Sequence, residues 1–134
     1  MRLAIIFSLL ALGAIVISAK TDQVNLDGTW IPVKQELAGM VIPPKSFAAQ
    51  KLVIADSTYT FTAESVDKGI ARYADGKMDI YGKVGVNTGK HFTAVYKLVN
   101  DTLSICYNLA GNSYPTGFDT KGKSGFFLSV FKKE

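Results

Sequence analysis

The chain is poor in the side chains that do chemistry. Its 134 residues include one cysteine and one histidine. A lone cysteine, Cys106, cannot close an internal disulfide, so a domain of this size must be stable through its hydrophobic core alone. Cys106 lies between Ile105 and Tyr107, on the opposite strand face from both, with no second histidine to activate it. It reads as a small hydrophobe of a strand wall rather than a nucleophile. His91 alone excludes a His-rich metal site, and a mixed site needs carboxylates that no spacing supplies. His91 itself reads as a polar residue at a strand start. Asp79, Glu36 and Glu64 read as solvated strand-face residues, because no spacing pairs them with a base. Gly82-Lys83-Val84-Gly85 lacks the helix that a phosphate loop requires. No catalytic residue, metal or cofactor is expected, and the chain does not read as an enzyme.

Charge of one sign is scarce as well. Fifteen basic and eleven acidic residues give a formal +4, scattered along the chain. So mild an excess argues against a nucleic-acid partner. The densest lysines, Lys121 and Lys123 with Lys132 and Lys133, read as solvated loop and strand-end residues. Long apolar runs are confined to Leu3–Ile17, broken only by Ser8 and Gly13. Met1-Arg2 precedes that run, and the small Ser18-Ala19 followed by polar Lys20-Thr21-Asp22 closes it. This is the order of a signal peptide, with cleavage expected after Ala19. Because the run approaches the shortest membrane-spanning length, an uncleaved anchor is the alternative. No cysteine follows the run, which closes the lipoprotein route. The expected organisation is a signal peptide over 1–19 and one β-barrel domain over 20–134. The mature chain would carry no membrane span and reside in the periplasm or outside the cell.

Beyond the leader, period two dominates. Lys51–Ala55 is a short apolar run ending at Asp56-Ser57, and Thr58–Thr62 alternates threonine with aromatics. Asp75-Gly76 is a two-residue hairpin signal, because both positions need positive φ. It joins Gly69–Ala74 to Lys77–Tyr81. Asn87-Thr88-Gly89 turns into His91–Leu98, and Asn100-Asp101 turns into Leu103–Asn108. A longer loop, Gly111–Gly125, precedes a final strand over Phe126–Lys132. With Thr29–Leu37 these make eight segments. Pro43–Gln50 is the one interruption, where Pro44 is suited to start a helical turn carrying Phe47, Ala48 and Ala49. The short joins predict sequential antiparallel neighbours, closing most readily into an all-β, eight-stranded up-and-down barrel. A two-sheet sandwich is the alternative.

Leu26-Asp27-Gly28-Thr29-Trp30, followed by Pro32-Val33-Lys34-Gln35-Glu36-Leu37-Ala38-Gly39, resembles the opening of small bacterial lipocalin-like (calycin-type) domains. Asp101–Tyr107, Pro115-Thr116-Gly117-Phe118 and the terminal Phe131-Lys132-Lys133-Glu134 extend the resemblance along the chain. It implies that Trp30, with Gly28 beside it, plugs one barrel end. Lipocalins place an arginine of the last strand over that tryptophan. Here only Lys132 or Lys133 is available, a cation that stacks on indole without the planar guanidinium fork. The lipocalin Thr-Asp-Tyr motif is absent, so the kinship is at superfamily level.

The suggestive constellation is aromatic. Tyr59, Phe61, Tyr73, Phe92, Tyr96, Tyr107 and Phe127 supply apolar walls and hydroxyl anchors for a small hydrophobic ligand, if they line a cavity. An eight-stranded barrel is either filled by side chains or holds one small ligand. The short strands favour filling, which would move function to the surface. The alternative is therefore an envelope or secreted protein-interaction module, including an inhibitor-type barrel, whose partner docks on loops. Gly111–Gly125, with Tyr114, Pro115 and Phe118, is the surface that reading selects.

Overall fold

The computed structural model describes residues 24–134. The expected leader, 1–19, and its cleavage site lie outside the described residues. Nine strands and one short 3-10 turn follow: β1 (Gly28–Leu37), β2 (Met40–Val41), the turn Pro44–Ser46, β3 (Lys51–Ala55), β4 (Thr58–Thr62), β5 (Val66–Ala74), β6 (Lys77–Val84), β7 (His91–Val99), β8 (Thr102–Asn108) and β9 (Phe126–Lys133). Each of β3 to β8 pairs antiparallel with the next, β1 pairs with β3, and β9 returns to pair with β1. Eight strands thus close an up-and-down barrel, with β2 a two-residue appendage folded back on the end of β1. The Asp75-Gly76 hairpin has positive φ at both residues, 53° and 81°, as its sequence demands.

Alternation sorts the side chains. Leu52 and Ile54, Met78 and Ile80, and Leu103 and Ile105 face inward and are buried. One end is filled by Trp30, which is 1% exposed. Its Nε1 donates to the carbonyl of Leu26 at 2.9 Å, and the Leu26 amide donates to the Tyr73 hydroxyl at 2.9 Å. Tyr73 meets Tyr96 edge-on, with ring centres 5.7 Å apart. Lys133 pairs with Trp30 across the β1–β9 seam and holds its ammonium 5.6 Å from the ring centre. A side chain at Gly28 would crowd Lys133, its Cβ falling 2.9 Å from Lys133 Cε. Gly28 therefore leaves the space through which the cation crosses the indole.

Two bulges shape the wall. On β1 the register shifts between Pro32 and Lys34, which brings Gln35 inward beside Ser129. On the β5–β6 ladder it shifts between Lys68 and Gly69, so Gly69 faces Gly82. Neither glycine tolerates a Cβ: at Gly69 it would strike the Tyr81 carbonyl, and at Gly82 the carbonyl of Asn87. The close approach at Gly82 folds the β6–β7 turn inward, with Gly82 donating to Lys90 and accepting from Gly89.

Candidate functional site: a cavity at the open end

The half of the barrel away from Trp30 is not filled. A cavity of about 160 Å³ occupies it. Leu52 and Ile54, Tyr59 and Phe61, Met78 and Ile80, and Ile105 and Tyr107 give it walls from four strands. Ala71, Phe92 and Phe127 complete the walls, and Leu109 lies at the mouth. Phe61, Phe92, Tyr107 and Phe127 face inward yet are only partly buried, so solvent reaches their rings through the open end. Tyr107 and Phe127 stack at 5.7 Å. Met40, Val41, Val66, Val84, Val86 and Leu109, at the strand ends on this side of the barrel, are exposed.

Of the seven aromatics singled out in the sequence, the structure gathers Tyr59, Phe61, Phe92, Tyr107 and Phe127 around this cavity. Tyr73 and Tyr96 sit instead against Leu26 and Trp30, where they help to seal the closed end. The interior is therefore half filled and half open. Its 160 Å³ falls short of the roughly 300–1,000 Å³ of pockets for drug-sized molecules. It matches the ~150 Å³ that holds a benzene-sized guest.

One corner of the cavity is polar. Period two along β5 puts Asp67 in phase with Ala71 and Tyr73, on the inward face, where it is 8% exposed. Asp67 Oδ2 accepts from the Tyr59 hydroxyl at 3.3 Å and from Asn87 Nδ2 at 2.8 Å. Burial, reinforced by the neighbouring carboxylate that its hydroxyl serves, pushes the Tyr59 phenol well above its ordinary range. Among the described residues, Asp67 Oδ1 is the one buried side-chain oxygen or nitrogen without a hydrogen-bond partner. Neither Asp67 nor Asn87 is foreseen from the sequence. With the strand begun at Gly69, Asp67 falls in a loop, although its alternation with Gly69, Ala71 and Tyr73 was there to be followed.

A second interior polar group is self-contained. Gln35 Nε2 donates to Gln50 Oε1 at 2.7 Å and to Ser129 Oγ at 3.3 Å. Phe47, buried just past the 3-10 turn, is the residue by which that turn is held.

Outside the barrel, the Gly111–Gly125 loop is a strap laid over β7 to β9. Thr93 Oγ1 and Asn108 Nδ2 both donate to the Ser113 carbonyl. Its own Pro115 and Thr120 are buried against the barrel wall, and Thr120 Oγ1 donates to Glu36 at 3.1 Å. The Tyr114 hydroxyl donates to Asp79 Oδ2 at 2.6 Å, while His91 Nε2 lies 2.8 Å from Asp79 Oδ1 and stacks on Tyr81. Lys97 sits over the Phe118 ring at 4.6 Å. The strap also covers Cys106, which is fully buried, and burial pushes its thiol up, away from thiolate. At the closed end a shallow depression of about 420 Å³ lies between Asn25, Asp27, Asp56 and Tyr73.

No protein-family model matches the chain, and no curated protein matches it. The closed eight-stranded antiparallel barrel is consistent with a calycin-like fold.

Proposed function

We propose that the protein is a lipocalin-like binding barrel that takes one small, largely apolar molecule into its open half. The observation that carries this reading is the cavity itself, walled mainly by aliphatic and aromatic side chains. A site of this kind gains affinity by removing the guest's apolar surface from water, about 25 cal/mol per Å². Its size selects guests near a single substituted ring. The role is binding rather than catalysis. The thiol is sealed under the strap, and the one histidine is engaged with Asp79 on the outer wall. The leader-like order of the first 19 residues supports a site of action outside the cytoplasm.

Interaction through the strap has less to support it. Tyr114, Pro115 and Phe118 are committed to Asp79, to the interior of the strap and to Lys97.

Isothermal titration and thermal melting with propylbenzene test the reading. Saturable one-site binding is expected, and at a hundredfold excess over Kd it should add roughly 2.7 kcal/mol to stability. Ala71→Leu, which puts extra carbons into the cavity, should reduce that binding while the protein stays folded. A folded protein that takes up neither propylbenzene nor any other single-ring guest would remove the proposal.

A further inference from the structure

We infer that the guest carries a positively charged amine, and that Asp67 is its counter-ion. The inference rests on the interior-binding reading above and names the chemistry of that same site. Asp67 lines the cavity, is more than nine-tenths buried, and has one oxygen served by Tyr59 and Asn87 and the other by nothing. The remaining lining is apolar apart from those two partners and the Tyr107 hydroxyl. A buried carboxylate is costly unless it is paired, and buried polar atoms in folded proteins nearly always have a partner. Here no internal cation supplies one. Among the described residues, the side-chain ion pairs are Lys34–Glu36 and His91–Asp79, both on the outer wall. Lys68, Lys83 and Lys90, near Asp67 in the fold, are exposed. Their charges are screened by salt within about 8–10 Å, whereas a charge inside the cavity is not.

The arrangement also looks prepared rather than accidental. The Lys68–Gly69 bulge and the inward turn at Gly82 are what bring Asn87 over the barrel end to Asp67. Tyr59 and Asn87 both present donors to Oδ2, holding the carboxylate in one orientation while leaving Oδ1 as an acceptor. An ammonium offers several donors and a full charge, and an apolar body of single-ring size fits the rest of the 160 Å³. An anionic guest would meet the carboxylate as a like charge.

The experiment compares three guests of one shape by isothermal titration at pH 7: 2-phenylethylamine, propylbenzene and phenylacetate. The amine should bind about ten- to hundredfold tighter than the hydrocarbon, the range carried by a hydrogen bond to a charged group. Phenylacetate should bind weakest. In Asp67→Asn, which keeps the shape and is checked for folding by its melting curve, the amine's advantage should vanish while propylbenzene binding persists. Equal affinity of the wild-type protein for amine and hydrocarbon would leave Oδ1 to a bound water and overturn this inference alone. An advantage that survives Asp67→Asn would overturn it too. Failure of all three guests would overturn the interior-binding reading with it.

Discussion

Individual side chains divide the barrel into a structural end and a site end. Trp30 anchors the first, so Trp30→Ala should cost about 3–5 kcal/mol in urea denaturation, as removal of a large buried aromatic does. The native indole should emit as a buried fluorophore. Emission typical of solvated tryptophan would contradict its 1% exposure. Two glycines, one at the site end and one in the strap, make a matched pair of tests. Gly82→Ala drives a methyl into the Asn87 carbonyl and should destabilise by about 1–3 kcal/mol while displacing the partner of Asp67. Gly117→Ala meets open space in the strap and should stay within about 0.5 kcal/mol of the parent. Equal melting temperatures for the two variants would refute the close approach at Gly82. Trp30 was legible because Gly-x-Trp is a local motif. Asp67 was not, because its meaning depends on a cavity assembled from strands far apart in sequence.

Among the elements, the strap is the one whose attachment depends on ionisation. Burial raises the Asp79 carboxyl, but hydrogen bonds from Tyr114 and His91 outweigh it and hold it below its ordinary value. A carboxyl whose pKa is lower in the folded state stabilises at pH above its unfolded value, about 3.9. That contribution is lost as pH falls through the lowered folded value. Protease sensitivity within the strap should therefore rise on acidification below about pH 4. In Tyr114→Phe it should be raised already at pH 7 and change less with acid. A strap equally resistant at pH 3 and pH 7 would show that the Tyr114–Asp79 contact holds nothing. The eight staves were readable from period two and turn chemistry, and their order followed from the short joins. The two-residue β2 was not readable, since its pairing rests on the Ala38-Gly39 turn, where both residues take positive φ. The start of β5 has a different cause: its inward positions there are Asp67 and Gly69, which carry no apolar signal although they stay in phase with Ala71 and Tyr73.

Over the whole molecule, one seam completes the fold. β1 and β9 pair from Trp30–Lys133 to Leu37–Phe127, joining positions roughly a hundred residues apart. Every other stave meets its neighbour across a much shorter stretch of chain. Loop closure over so long a span gives a high contact order, so folding should take milliseconds to seconds rather than microseconds. If the seam forms late, Phe131→Leu should mainly speed unfolding, whereas Ile80→Val in the β5–β6 hairpin should slow folding as well. Chevron plots of the two variants decide it, and the opposite partition would make the seam part of the nucleus. Until Phe126–Lys133 is in place, the same staves form an open sheet with β1 and β8 as its margins. β8 is the worse of these to leave bare. Leu103, Ile105 and Tyr107 are apolar on one face, and Cys106 lies on the other, with the strap not yet laid over it. An unpaired edge of that composition is a template for pairing with another chain. Aggregation in this protein is therefore a hazard of the interval before closure, and once the last stave docks the molecule offers no barrel edge to join.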